Sequence, residues 1–352
     1  MFGILKIAQY FGFIFTEVSN LLLFYLIVAK ASTRFGTYKY LMISYAVYSI
    51  VYGVVEICTQ PIIHVYGAGM YLYVDSFLKY EKTVSNILAA GYCGTFGLCV
   101  SLLATHFVYR YFAVCRPQDL HYFDGWNLLR IYIIPTSASM LWFWAYYCFL
   151  GPTDIKSEFV RAEIQNVYDE DIRKMGYVAP LYYVSPLENS QSKISLQYTD
   201  KTGKLVIDYM DFVSVFIACG VMQVSIVTMI ICGWKTFRKM KNVEKSMSQR
   251  TRELNKQLFQ TLVLQTLVPM CTMFAPVGSL LIMPMFSIGV GSTYSNASSF
   301  YACLYPALDA TIVIFMIRDF RDTVLCRKRV HPSLINTSTL SGQHLSSHLS
   351  SG

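Results

Sequence analysis

Asn86–Val108 reads NILAAGYCGTFGLCVSLLATHFV, 23 residues without a Lys, Arg, Asp or Glu. A helix rises about 1.5 Å per residue, so roughly 20 residues cross a hydrocarbon core about 30 Å thick. Six other stretches share this character: Gln9–Ala29, Tyr40–Ile63, Ile131–Leu150, Phe212–Gly233, Leu258–Pro284 and Thr293–Ile317. Together the seven hold no Lys or Arg and only three acids, Glu17, Glu56 and Asp309. Backbone groups inside a bilayer must bond internally, which leaves helices or a closed barrel. Strand-like alternation over about ten residues is absent, so helices are predicted. The fold class is an all-α membrane protein, a seven-transmembrane helix bundle.

Composition agrees, with 14% charged and 54% hydrophobic residues where soluble domains carry about 25% charge. The formal charge is +8, and its distribution speaks for topology. One face collects 19 Lys and Arg, eight of them in Trp234–Gln257; the other has 10, seven of them in the loop Gly151–Asp208 together with nine acids. Basic residues in short loops stay in the cytoplasm. The expectation is an amino terminus outside, a carboxyl terminus inside, a first span that acts as a retained signal anchor, and basic groups facing anionic membrane lipid. A nucleic-acid partner is not expected.

Nine of the ten cysteines sit in or beside the predicted helices, and Gly151–Asp208 has none. No CxxC pair exists, so neither zinc nor a disulfide framework is expected. The receptor-like unit is placed at 1–330. Residues 331–352, rich in Ser, Thr and His, are read as a disordered cytoplasmic tail. Phe320, Val324 and Leu325 share one face after the seventh span, which predicts a short amphipathic helix on the inner leaflet. Cys326, just beyond, is a candidate for palmitoylation.

The third run continues as Thr105-His106-Phe107-Val108-Tyr109-Arg110-Tyr111-Phe112-Ala113-Val114-Cys115-Arg116-Pro117. Arg110, Tyr111, Ala113, Val114 and Pro117 resemble the signature of rhodopsin-like G-protein-coupled receptors. In that family the Arg closes the inner face at rest and meets the G protein when active. Tyr109 stands where an acid is usual, so the resting lock differs; His106, one turn earlier, shares the face of Arg110. Tyr305-Pro306-Ala307-Leu308-Asp309 replaces the usual Asn-Pro-x-x-Tyr. Pro306 kinks the helix, and an ionisable Asp309 at this depth is a functional candidate.

Four further stretches extend the resemblance: Gly36–Met42, Arg250-Thr251-Arg252 with Lys256–Phe259, Gln265–Pro269, and Leu304–Asp309 with Ile317–Arg321. With His106–Arg116 they make the chain similar to nematode seven-transmembrane chemoreceptors of the serpentine receptor Str class, which includes the diacetyl odorant receptor. The resemblance implies detection of a small, volatile or water-soluble molecule at a sensory cilium. It also implies a heterotrimeric G protein meeting the basic cluster around Arg250 and Arg252, an accessory protein for ciliary delivery, and no cofactor. Tyr92, Cys93 and Thr95 on helix three, with Glu56 and Glu17 in the outer halves of helices two and one, are the candidate ligand contacts. Asn296 heads the external sequon.

Rival readings are a ligand-gated channel or small-solute transporter, a membrane enzyme and a light sensor. Paired broken helices and pore-lining polar rings are not seen. The six His form no metal-ligand cluster, only Asp309 is well inside the membrane as an Asp, and helix seven has no Lys for a retinal Schiff base.

Overall fold

The computed structural model describes residues 2–30, 35–123, 125–184, 206–207, 209–243, 248–286 and 288–327. The tail 331–352 lies outside them. Helices α1 (Phe2–Lys30), α2 (Tyr38–Thr59) and α3 (Lys82–Cys115) form the first three spans. A short α4 (Asn127–Ile131) runs into α5 (Ile133–Phe149), the fourth. The fifth is α7 (Tyr209–Val243); the sixth joins α8 (Gln249–Pro269), a π-turn at Met270–Phe274 and α9 (Ala275–Ile282); the seventh is α10 (Ser292–Met316). Among the described residues, seven helices are thus long and apolar enough to cross a membrane.

The third span is central, packing against α2, α5 and α7. Small residues let its neighbours approach, and Ala89, Ala90, Cys99, Val100 and Leu103 are fully enclosed. The first and seventh spans meet just as closely. A Cβ on Gly12 would lie 2.7 Å from the Cys303 carbonyl oxygen, so only glycine fits there. Nearby, Asn20 donates to the Thr16 carbonyl at 2.9 Å and the Pro306 carbonyl at 3.2 Å, tying helix one to helix seven beside the proline.

The helices are not the whole fold. Pro61–Ile63, predicted to finish the second span, begin a strand instead. Helix α2 stops because Gln60 takes the left-handed conformation (φ 43°) and Pro61 disfavours helix in the residue before it. Strands β1 (Pro61–Tyr66) and β2 (Gly69–Val74) form an antiparallel hairpin, with Gly67 at φ 53° opening its two-residue turn. β3 (Tyr177–Val178) pairs with β2. Helix α6 (Asp154–Tyr168), capped by Thr153 accepting the Lys156 N–H, packs Phe159, Val160 and Ile164 on Tyr71, Tyr73 and Tyr177. A second small sheet pairs β4 (Tyr183–Val184) with β5 (Val206–Ile207). These elements cap one end of the bundle as a lid with its own aromatic core.

His64 on β1 gives the lid a pH dependence. Its ring is buried, with Nδ1 3.0 Å from the Tyr168 hydroxyl and Nε2 3.7 Å from the half-buried Glu163 carboxylate. Burial pushes its pKa from the usual 6.5 down to about 4. The folded lid thus prefers the neutral ring, and protons favour the unfolded chain. Stability is expected to hold above pH 6.5 and to fall as pH drops toward 4, by about 3 kcal/mol. A melting series over that window checks it, and His64→Gln should flatten the slope.

At the opposite end, α11 (Arg318–Val324) follows the seventh span. Its Phe320 is buried against Phe35, ring centroids 5.9 Å apart and nearly parallel. The apolar face predicted for lipid therefore gives its largest side chain to the protein; Val324 and Leu325 remain partly exposed.

Candidate functional site

Arg110 stands one turn from the end of α3 and is 3% exposed. Its Nη2 donates to the Asn255 carbonyl oxygen at 3.1 Å and to Asn255 Oδ1 at 3.3 Å, on the first turns of the sixth span. The guanidinium lies over the Tyr38 ring of α2, 5.5 Å from its centroid. Tyr109, in the place of the missing acid, stacks on Tyr38 at 5.5 Å and meets Phe123 edge-on at 5.4 Å. An aromatic shelf and a neutral amide thus hold the buried cation, without a neighbouring carboxylate among the described residues. His106 meets the same shelf, edge-on to Tyr38 at 5.9 Å.

Deeper in the bundle, the Tyr45 and Tyr305 hydroxyls bond to each other, and both reach Cys99 Sγ, at 3.6 and 3.4 Å. This hub joins spans two, three and seven. Asp309, one turn past Tyr305, accepts from Gln265 Nε2 of the sixth span at 2.8 Å. His106, Asp309, Tyr38 and Tyr45 face one small gap of about 10 Å³, room for roughly one water. Pro306 gives its carbonyl oxygen to Asn20, as above. Tyr111 faces Lys235 of the fifth span, 5.8 Å from Nζ to ring centroid, and Pro117 is exposed at the turn after α3. Arg252 lies on the outward face of the sixth span, away from Arg110; Arg250 is in α8, its side chain outside the described residues.

Beneath the lid is an enclosed cavity of about 40 Å³. Met70 and Leu72 roof it, Cys93 and Phe96 form one wall, and Trp142 and Leu281 close it. Tyr92 and Ser298 supply polar edges; the Ser298 hydroxyl is buried without a hydrogen-bond partner. The space is smaller than the ~150 Å³ that takes a benzene ring in a protein core, so a larger ligand must lift the lid. Of the predicted contacts, Tyr92 and Cys93 line this cavity, whereas Thr95 turns its hydroxyl to the Tyr92 carbonyl oxygen. Glu56 stands behind Tyr92 beside Tyr52 and Cys303, wholly buried and without a well-formed hydrogen bond. Glu17 lies over Gly53 of α2, so neither acid lines the cavity. Asn296 is 4% exposed within α10. Cys326 is exposed just past α11.

Two links run from this cavity to the sixth span. The Tyr182 hydroxyl of the lid donates to the Leu281 carbonyl oxygen at 2.6 Å. Phe96 meets Phe274 edge-on, centroids 5.3 Å apart, inside the π-turn after Pro269. A π-turn beside a proline is a place where a helix bends.

Residues 5–325 match the family described as serpentine type 7TM GPCR chemoreceptor Str. The chain belongs to that family. A protein named serpentine receptor class r-10 from Caenorhabditis briggsae is 35% identical over 325 residues, covering 90% of this receptor and 88% of its own chain. The protein of the same name from Caenorhabditis elegans is 34% identical, covering 92% and 91%. G-protein coupled receptor str-33 of Caenorhabditis elegans is 26% identical, covering 88% and 87%. The crystal structure of squid rhodopsin superposes with a TM-score of 0.56 at 11% identity, over 92% of this receptor and 84% of the rhodopsin; that likeness is one of fold. The Str receptor is a multi-pass membrane protein of a receptor class, not an enzyme.

The motif signalled Arg110, but nothing in the sequence marked Tyr182 or Phe274, and Asn255 and Gln265 were marked only by lying beside or within the stretches that resemble the family. Their roles depend on which helices meet.

Proposed function

We propose that this receptor binds a small, mostly apolar molecule beneath the lid and passes the signal to a heterotrimeric G protein. The carrying observation is that the sixth span is held at both ends, by Tyr182 of the lid on Leu281 and by Arg110 on Asn255. A ligand that fits only a lifted lid and a moved sixth span shifts an existing equilibrium toward the state with Arg110 released. The domain 1–330 would do this work and the tail 331–352 would extend from it. The lid would face outside with the amino terminus and the basic face would meet the cytosol, as the Lys and Arg asymmetry supports. The family's chemoreceptor character supports placing it in the ciliary membrane of a sensory neuron, delivered there by an accessory protein, with a volatile stimulus.

The test is receptor in lipid discs with purified G protein and a panel of small volatile compounds, read as nucleotide exchange. Ligand-dependent exchange is expected. Ligand-gated current in a bilayer without any G protein would instead favour a channel. Epitope tags on intact cells check the orientation independently, the amino-terminal tag being accessible.

A further inference from the structure

The sixth span has a second furnished face, turned away from Arg110. Its bundle side is formed by Leu258, Thr261, Leu262 and Gln265, all buried. On the other side, between α7 and α8, lies an open hollow of about 510 Å³, adjoined by a second open one of about 370 Å³. The two share Phe237, Phe259, Val263 and Leu267. The Phe237 and Phe259 rings stack between the helices at 6.4 Å. Flanks such as Leu267, 54% exposed, and Phe237, 56% exposed, open sideways toward the bilayer. The second hollow reaches Gly233, where a side chain would press on Phe107. At the basic end three cations, Lys241, Arg252 and Lys256, line the mouth, and among the described residues no acid lines it with them.

We propose that this hollow is a binding site for a phosphoinositide, with its phosphorylated headgroup on Lys241, Arg252 and Lys256 and an acyl chain along Phe259 and Leu267 toward Gly233. An apolar trough that ends in clustered cations at one membrane face matches an amphiphile with a multiply charged anionic head. A peptide of the transducer fits less well, because the trough opens to the bilayer and away from the cleft that holds Arg110. The lipid's leaflet rests on the proposed orientation, since such lipids lie in the cytosolic leaflet; the site's chemistry does not.

The test uses full-length receptor in phosphatidylcholine discs, which expose both faces, titrated with dioctanoyl phosphatidylinositol bisphosphate and read by native mass spectrometry. The triple variant Lys241→Gln, Arg252→Gln, Lys256→Gln is expected to bind on the order of a hundredfold more weakly, about fivefold for each lost cation. A control with equal charge loss at the same face, Lys30→Gln, Lys39→Gln, Arg130→Gln, should bind as wild type does. Leu267→Trp, which fills the trough and leaves charge intact, should also lose binding. Equal losses in the two triple variants, full binding by Leu267→Trp, or displacement of the lipid by the carboxyl-terminal peptide of a G-protein α-subunit would each overturn the site. Because both faces are open in the discs, a wrong orientation would show in the tag experiment and leave this result standing.

Discussion

Asp211→Ala is expected to unfasten the lid and lower the stability of the whole receptor by about 3–5 kcal/mol, the loss typical when one partner of a buried ion pair is removed. Asp211 sits in the first turn of α7 and is wholly buried. Its Oδ1 takes the Lys156 ammonium at 2.9 Å and its Oδ2 takes the Leu181 N–H at 2.7 Å. Lys156, from α6, is 3% exposed and donates as well to the Phe149 carbonyl oxygen at 3.3 Å. One carboxylate therefore pins the lid helix, the strand segment after β3 and the fifth span together, at a helix start where negative charge is favoured. All ten cysteines are free thiols, so no disulfide shares the task. Without Asp211 an ammonium is left in a dry interior. Lys156→Met with Asp211→Leu removes both charges and should recover much of the loss, leaving chiefly the Leu181 N–H unsatisfied, about 1–3 kcal/mol. Thermal unfolding in detergent separates the cases. An Asp211→Ala receptor that melts with wild type would sink this account.

The lid also shows where sequence reading stops. Seven spans were legible because each is long, apolar and free of Lys and Arg, and length together with apolar character marks a crossing helix. Pro61–Val74 is apolar too, but short, and a short apolar run does not tell strand from helix end. The punctuation was there: Gln60-Pro61 stops a helix, and Gly67 sits between two runs rich in Val, Ile and Tyr. Arg110 was legible because the surrounding residues fit a local pattern. Its partner was not, since Asn255 lies 145 positions away and is chosen by how helices three and six pack. Glu17 and Glu56 were candidate ligand contacts by their depth in the outer halves of helices one and two, and depth along a helix does not say which way a side chain turns. The structure points them into the contacts among spans one, two and seven.

Arg110→Ala and Asn255→Ala should move signalling in opposite directions. Under the proposed mechanism Arg110 is what the G protein meets, so Arg110→Ala is expected to abolish nucleotide exchange while the protein still reaches the surface. Asn255 only restrains Arg110, through a side-chain oxygen and a backbone carbonyl oxygen on the sixth span. Its side-chain bond to a charged donor is worth about 1.5–3 kcal/mol, a shift of roughly 10- to 150-fold in the balance between held and released states. Asn255→Ala leaves the backbone bond, so exchange without ligand should rise at the lower end of that range. Tyr38→Leu removes the ring beneath the guanidinium, about 0.5–2 kcal/mol, and should raise basal exchange as well. Asn255→Asp supplies the carboxylate that Tyr109 replaces. An ion pair would then hold Arg110 more tightly, and basal exchange should fall below wild type. A general loss of stability would lower signalling in all these variants, so the opposed signs at matched surface expression are the measurement. Basal exchange in Asn255→Ala equal to wild type would remove Asn255 from the lock.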